Sequence, residues 1–136
     1  MDVRRIKNNE TGTNKMRIAI VDDEEDLLQE LEETFRLNGY DVEAISDATV
    51  ASELIAKSRP DLVLLDLKMK GKSGFEIADE LSHNPVTSGI PIIAMTGLYT
   101  SEDQENLRIT GKFEDLLIKP FAIGDVLEKI KTVRRL

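Results

Sequence analysis

Four places in this chain set polar side chains directly behind an apolar run, and the residue types found there suit phosphoryl chemistry. Asp22 and Asp23 follow Arg-Ile-Ala-Ile-Val, Asp66 follows Leu-Val-Leu-Leu, Thr96 follows Ile-Ile-Ala-Met and Lys119 follows Asp-Leu-Leu-Ile. Three carboxylates drawn together repel one another and raise each other's proton affinity unless a cation intervenes. A hard divalent ion answers that need: Mg²⁺ takes carboxylate and carbonyl oxygens, keeps some waters and leaves positions for phosphoryl oxygens. A carboxylate nucleophile, a metal, a hydroxyl donor and an ammonium around one point match what phosphoryl transfer requires. Each residue alone has a plainer explanation. Acids are favoured at any helix N-terminus, Asp66 would serve as a cap, Thr96 as a turn residue and Lys119 as a surface cation. Their joint occurrence at four strand ends is what favours the chemical reading.

Bringing these residues together is the task of the segments between them. The run 16–21 is short, continuous and apolar, as a strand buried on both faces should be, and it stops at the acidic stretch 22–26. Leu27, Leu28, Leu31 and Phe35 then recur at helical spacing up to the stop signal Asn38-Gly39. Val42, Ala44 and Ile45, interleaved with Asp41 and Glu43, read as an edge strand. Ala51, Leu54 and Ile55 mark a helix ending before Pro60. A buried strand over 62–65 runs into Asp66, a helix over 73–82 carries Phe75, Ala78 and Leu81 on one face, and a fourth strand spans 90–95. The spacing Ser101-Glu-Asp-Gln104 predicts a capping box opening a polar, weakly held helix. A short strand at 115–118 precedes a last helix with the stripe Ile123, Val126, Leu127, Ile130 and Val133. Five βα repeats predict an α/β domain with a doubly wound, five-stranded parallel sheet, and the simplest strand order is 2-1-3-4-5.

Composition narrows the field further. A chain of 136 residues has room for one core, and residues 1–15 hold too few apolar groups to offset the entropy of ordering them. The expected division is a flexible leader over 1–15 and one folded domain over 16–136. With 26 acidic and 18 basic residues the net charge is −8, which opposes direct nucleic-acid binding. No apolar run nears the roughly 20 residues that span a bilayer, so no membrane insertion is expected. The chain has no cysteine, which fits a reducing compartment, and a cytoplasmic location is expected. His83 is the single histidine, so a histidine-based metal site or hydrolase triad lacks partners, and the residue reads as solvated. Gly71 and Gly74 belong to no nucleotide-binding pattern and read as loop geometry.

The segments VDDEE at 21–25, LLDL at 64–67, MTG at 95–97 and KPF at 119–121 together resemble the motif set of response-regulator receiver domains of two-component systems. The likeness runs over 16–136 and implies a (βα)5 flavodoxin-like fold and a role in phosphorelay signal transduction. By the same match Asp66 would accept a phosphoryl group from a sensor histidine kinase or a phosphotransfer protein. Asp22, Asp23, Asp66 and the backbone carbonyl of Lys68 would hold Mg²⁺, Thr96 would bind one phosphoryl oxygen and Lys119 another, and the Lys119-Pro120 bond would be cis. Such a protein is a switch, not an enzyme of multiple turnover: it catalyses only its own phosphorylation and dephosphorylation. Its output would be a downstream protein partner, with the chain itself a monomer or weak dimer. A single-domain regulator is the expected context, against a receiver cut from a longer protein.

The chain departs from the family pattern at several positions. Lys70 stands where a proline is common, and Lys68 places a long cation two residues after Asp66. Leu116 occupies the usual aromatic-switch position, and Lys112-Phe113 replaces a small pair, which puts the usual output rearrangement in question. Two other classes share parts of this chemistry. Aspartate-nucleophile phosphatases of the haloacid-dehalogenase type resemble DxD at the nucleophile, and Lys68 argues against them. A flavodoxin needs a hydroxyl- and glycine-rich phosphate loop after the first strand, where this chain has acids.

Overall fold

In the computed structural model, which describes residues 15–97 and 99–134, the apolar runs become five parallel strands joined by helices. In chain order these are β1 (Arg17–Val21), α1 (Glu25–Leu37), β2 (Asp41–Ile45), α2 (Ala51–Ser58, entered through one 3₁₀ turn at Ala48–Val50), β3 (Leu62–Asp66), α3 (Gly74–Ser82), β4 (Ile92–Thr96), α4 (Ser101–Thr110), β5 (Asp115–Ile118) and α5 (Ile123–Arg134). The sheet order is β2-β1-β3-β4-β5, as the βα alternation predicts. From β1 the chain moves outward to β2, then returns to the other side of β1 to form β3. That reversal opens a crevice at the carboxyl ends of β1 and β3, where open α/β sheets bind ligands.

Strand alternation divides the core in two. Ile18, Ile20, Leu62, Leu64, Ile93, Met95 and Leu117 face α1 and α5, which contribute Leu28, Leu31, Phe35, Val126, Ile130 and Val133. Ala19, Val21, Val63, Leu65 and Ile92 face α2 and α3, which bring Ala51, Ile55, Ile77, Ala78 and Leu81. Every residue of β3 and β4 is buried, which is why these strands read as unbroken apolar runs. The edge strand β2 buries only Val42 and Ile45 and leaves Ala44 exposed.

Several local details differ from the sequence reading. In α3 the buried face holds Ala78 and Leu81, as expected, together with Ile77, while Phe75 is only half-buried and meets Phe113 edge-on, ring centroids 5.8 Å apart. Strand β4 starts at Ile92, not Ile90, because the Ile90 amide donates to the Thr87 carbonyl and closes a turn. The capping box of α4 lies one residue earlier than predicted: Thr100 accepts from the Asp103 amide and Asp103 accepts from the Thr100 amide. Of the expected leader at 1–15, all but Lys15 lies outside the described residues. Gly74 lets α3 begin against the end of β3, since a side chain there would collide with the Asp66 carbonyl oxygen. His83 is exposed at the end of α3, as expected.

Candidate functional site

The alternation that packs Ile18 with Ile20, Leu62 with Leu64 and Met95 with Leu117 continues past the strand ends. Counting on by twos from Ile20, Leu64 and Leu117 reaches Asp22, Asp66 and Lys119, which therefore emerge on the same side of the sheet. Their side chains meet. Lys119 Nζ donates to Asp22 Oδ2 at 2.7 Å, stands 3.4 Å from Asp66 Oδ2, and lies 3.5 Å from Glu24 Oε1. Asp22 is fully enclosed and Asp66 is 5% exposed, so two acids share one ammonium largely out of water. The remaining Asp22 oxygen, Oδ1, accepts from the Glu24 amide at 2.9 Å, which locks the turn after β1.

That arrangement is electrostatically loaded. Burial, and then the neighbouring Asp22 charge, push the Asp66 carboxyl up to about 6, against the pull of the Lys68 amide and the Lys119 ammonium. Burial works against the charge on Lys119, but its bond to Asp22 and the surrounding acids outweigh it and raise its pKa above the usual lysine value. The ammonium stays protonated throughout the neutral range.

Around this trio stand the other residues singled out from the sequence. Asp23 is exposed at the rim, yet one carboxylate oxygen from each of Asp22, Asp23 and Asp66 lies within 4.8 Å of the others. Such a set of hard oxygen donors, with a single enclosed ammonium between two of the acids, fits a small divalent cation. The Lys68 backbone is at the pocket, since its amide donates to Asp66 Oδ1 at 3.2 Å. Thr96 is fully buried at the end of β4, one position beyond Met95, the register partner of Asp66. The Thr96 carbonyl accepts from the Lys119 amide at 2.8 Å, so the ends of β4 and β5 are fastened together, and the Lys119-Pro120 bond is cis.

Three participants were not apparent in the sequence. Glu24 is one acid among several in its run, but it approaches Lys119. The Lys70 amide donates to Asp23 Oδ2 at 3.1 Å, a contact that the proline common at this position would lack a hydrogen to make. Asp103, in α4, pairs with the Lys68 ammonium at 2.9 Å. An acid at the third position of a capping box was the available signal for Asp103; nothing local foretold its partner 35 residues earlier.

A doubly wound sheet with an acid trio and a lysine at its switch point defines a phosphoacceptor class of signalling domain. The chain belongs to the response regulator receiver domain family, whose profile matches residues 18–131. Response regulator MprA of Mycobacterium leprae is 32% identical over 123 residues, covering 88% of this chain and 51% of that protein. Transcriptional regulatory protein PrrA of Mycobacterium tuberculosis is 27% identical over 126 residues, 93% of this chain and 53% of that protein. The chain thus spans about half the length of the curated relatives it matches. Among solved structures, chemotaxis protein CheY4 of Vibrio cholerae superposes with a TM-score of 0.81 at 25% identity, over 88% of this chain and 98% of that one. A CheY-like receiver domain protein from Methanospirillum hungatei gives 0.81 at 26% identity, over 89% and 95%. Receiver domains act in phosphorelay signalling as phosphoacceptor switches, with Mg²⁺ binding and aspartate phosphorylation as general features. No helix among the described residues is long and apolar enough to cross a membrane.

Proposed function

We propose that Asp66 is the phosphoacceptor of this chain, charged by a sensor histidine kinase or a phosphotransfer protein in the cytoplasm. The observation that carries the reading is the enclosure of the Asp66 carboxylate beside Asp22, with the Lys119 ammonium 3.4 Å away. An Asp66 oxygen attacks the phosphorus of a phosphohistidine, the P–N bond breaks, and the imidazole departs with the bonding pair and takes up a proton. Asp66 retains the group as an acyl phosphate. Lys119 neutralises one phosphoryl oxygen, and the Thr96 hydroxyl donates to another. Asp22, Asp23, Asp66 and the Lys68 carbonyl would hold Mg²⁺, which when bound supplies positive charge at the phosphoryl oxygens. Water attacking the same phosphorus breaks the bond to the Asp66 oxygen, releases inorganic phosphate and a proton and restores the carboxylate, the only turnover this site performs.

The output is a change of protein contact. Helix α4 exposes Ile109 and strand β5 exposes Ile118, a surface suited to a downstream protein partner, with the chain itself a monomer or weak dimer. The absence of an aromatic at position 116 is offset elsewhere: Lys112 bonds Asp79 at 2.6 Å and Phe113 packs on Phe75, so the segment before β5 is fastened to α3.

Intact-mass measurement after treatment with acetyl phosphate and Mg²⁺ tests the assignment. One added phosphoryl group is expected in the unaltered chain and none in Asp66→Asn; labelling of that variant to the same extent refutes it. Calorimetry tests the metal ligands. Asp23→Asn should weaken Mg²⁺ binding by about tenfold, from the loss of one charged oxygen donor, and unchanged affinity would count against direct ligation.

A further inference from the structure

Among the described residues of helix α4, Asp103 alone is buried. Its carboxylate receives the Lys68 ammonium at 2.9 Å and the Thr100 amide at 3.1 Å. Lys68 lies two residues beyond Asp66 and gives its own amide to Asp66 Oδ1 at 3.2 Å. One residue therefore has its backbone on the proposed phosphoacceptor and its ammonium on α4. An open groove of about 460 Å³ adjoins it, lined by Asp23 and Lys70 on the pocket side and by Asp103 and Asn106 on the helix side, and it gives the Lys68 side chain room to move between them.

The two ends of this link differ in strength. The Lys68 side chain is 42% exposed, and ion pairs so open to water hold weakly. An acyl phosphate on Asp66 would place nearly two negative charges and three strong acceptor oxygens within reach of the same ammonium, against one charge on Asp103. Lys119, committed to Asp22 at 2.7 Å, and a bound Mg²⁺, whose charge would be shared with Asp22 and Asp23, leave part of that demand unmet. Once Lys68 leaves, Asp103 is an enclosed carboxylate without its cation, and the first turn of α4 must open to let water reach it.

We infer that Lys68 is a second phosphoryl-binding cation, kept on Asp103 until Asp66 carries the group, and that its transfer releases the first turn of α4. This rests on Asp66 being the phosphoacceptor. It gives the chain a route from the pocket to α4 that needs no aromatic residue at position 116.

The test is the affinity of the Mg²⁺-loaded protein for beryllofluoride, a phosphoryl mimic, in the unaltered chain, Lys68→Gln and Asp103→Asn. Loss of a cation lowers anion affinity in Lys68→Gln, and loss of the competing carboxylate raises it in Asp103→Asn, each by about threefold or more, on the scale of a weak ion pair. Mg²⁺ affinity without the anion should not fall in Lys68→Gln, because removing a positive charge favours a cation nearby. Amide exchange over residues 101–106 should rise in both variants, and saturating beryllofluoride should raise it in the unaltered chain but add little in Lys68→Gln. A merely structural ion pair shifts anion affinity through charge alone and predicts that saturating beryllofluoride changes exchange over residues 101–106 equally in the unaltered chain and in Lys68→Gln; that result, or an anion affinity unchanged in Lys68→Gln, overturns the inference alone. Beryllofluoride binding that is absent from the unaltered chain, or undiminished in Asp66→Asn, overturns the phosphoacceptor reading and this inference with it.

Discussion

Helices α4 and α5 precede and follow the same strand, β5, and are held to the domain by opposite means. Helix α5 inserts Val126, Ile130 and Val133 into the core beneath β1, β3 and β4. Helix α4 buries no apolar residue; its enclosed residue is Asp103, fixed by its own cap and by Lys68. Apolar burial is non-directional and indifferent to charge, whereas an ion pair beside an acidic pocket responds to every change of charge there. One helix is thereby part of the scaffold and the other is available to report on the site.

Breaking the α5 side should have the largest effect. Ile130→Ala leaves a cavity under the sheet and should cost about 2–5 kcal/mol in urea unfolding, while Ile109→Ala on exposed α4 should stay within about 0.5 kcal/mol. Equal losses would erase the contrast between the helices.

Next comes the strain within the pocket. The folded Asp66 carboxyl is raised to about 6 from an ordinary 3.8, so its ionisation destabilises the metal-free fold. That penalty is absent below the unfolded pKa, grows as the pH rises from about 4 to 6, and is complete above it. Asp66→Asn should therefore stabilise metal-free protein by about 1–3 kcal/mol at pH 7.5, with the advantage shrinking as the pH falls from 6 towards 4. Chemical unfolding across that range checks the sign, and a destabilised variant at pH 7.5 would contradict it.

Asp103→Ala removes both the capping box and the Lys68 partner. It should cost about 1–2 kcal/mol and raise amide exchange along α4 while leaving α5 protected. The smallest effect sharpens the account of the rim. Lys70→Pro deletes the amide that orients Asp23 and should weaken Mg²⁺ binding several-fold, whereas Lys70→Ala keeps the amide and should not; calorimetry separates the two.

Legibility from the sequence follows the same division. Strands β3 and β4, α1 and α5 are buried through apolar periodicity, which is written in the order of residues, and their arrangement was readable. So were Asp22, Asp66 and Lys119, because each is a polar residue that ends or directly follows an apolar run. The contacts that were missed are polar and distant in sequence: Lys68 with Asp103, the Lys70 amide with Asp23, and Lys112 with Asp79. No periodicity announces such pairs, since they depend on how loops fold back in space. The capping box reads at Ser101 in the sequence, whereas the observed cap is its neighbour Thr100, in the register that buries Asp103.

The most direct test of the central claim is chemical trapping of the acyl phosphate. After incubation with acetyl phosphate and Mg²⁺, borohydride reduction converts a phosphorylated aspartate to homoserine, and peptide mapping locates it. Homoserine at position 66 and nowhere else is the predicted result; homoserine at Asp22 or Asp23 with an unmodified Asp66 would contradict it.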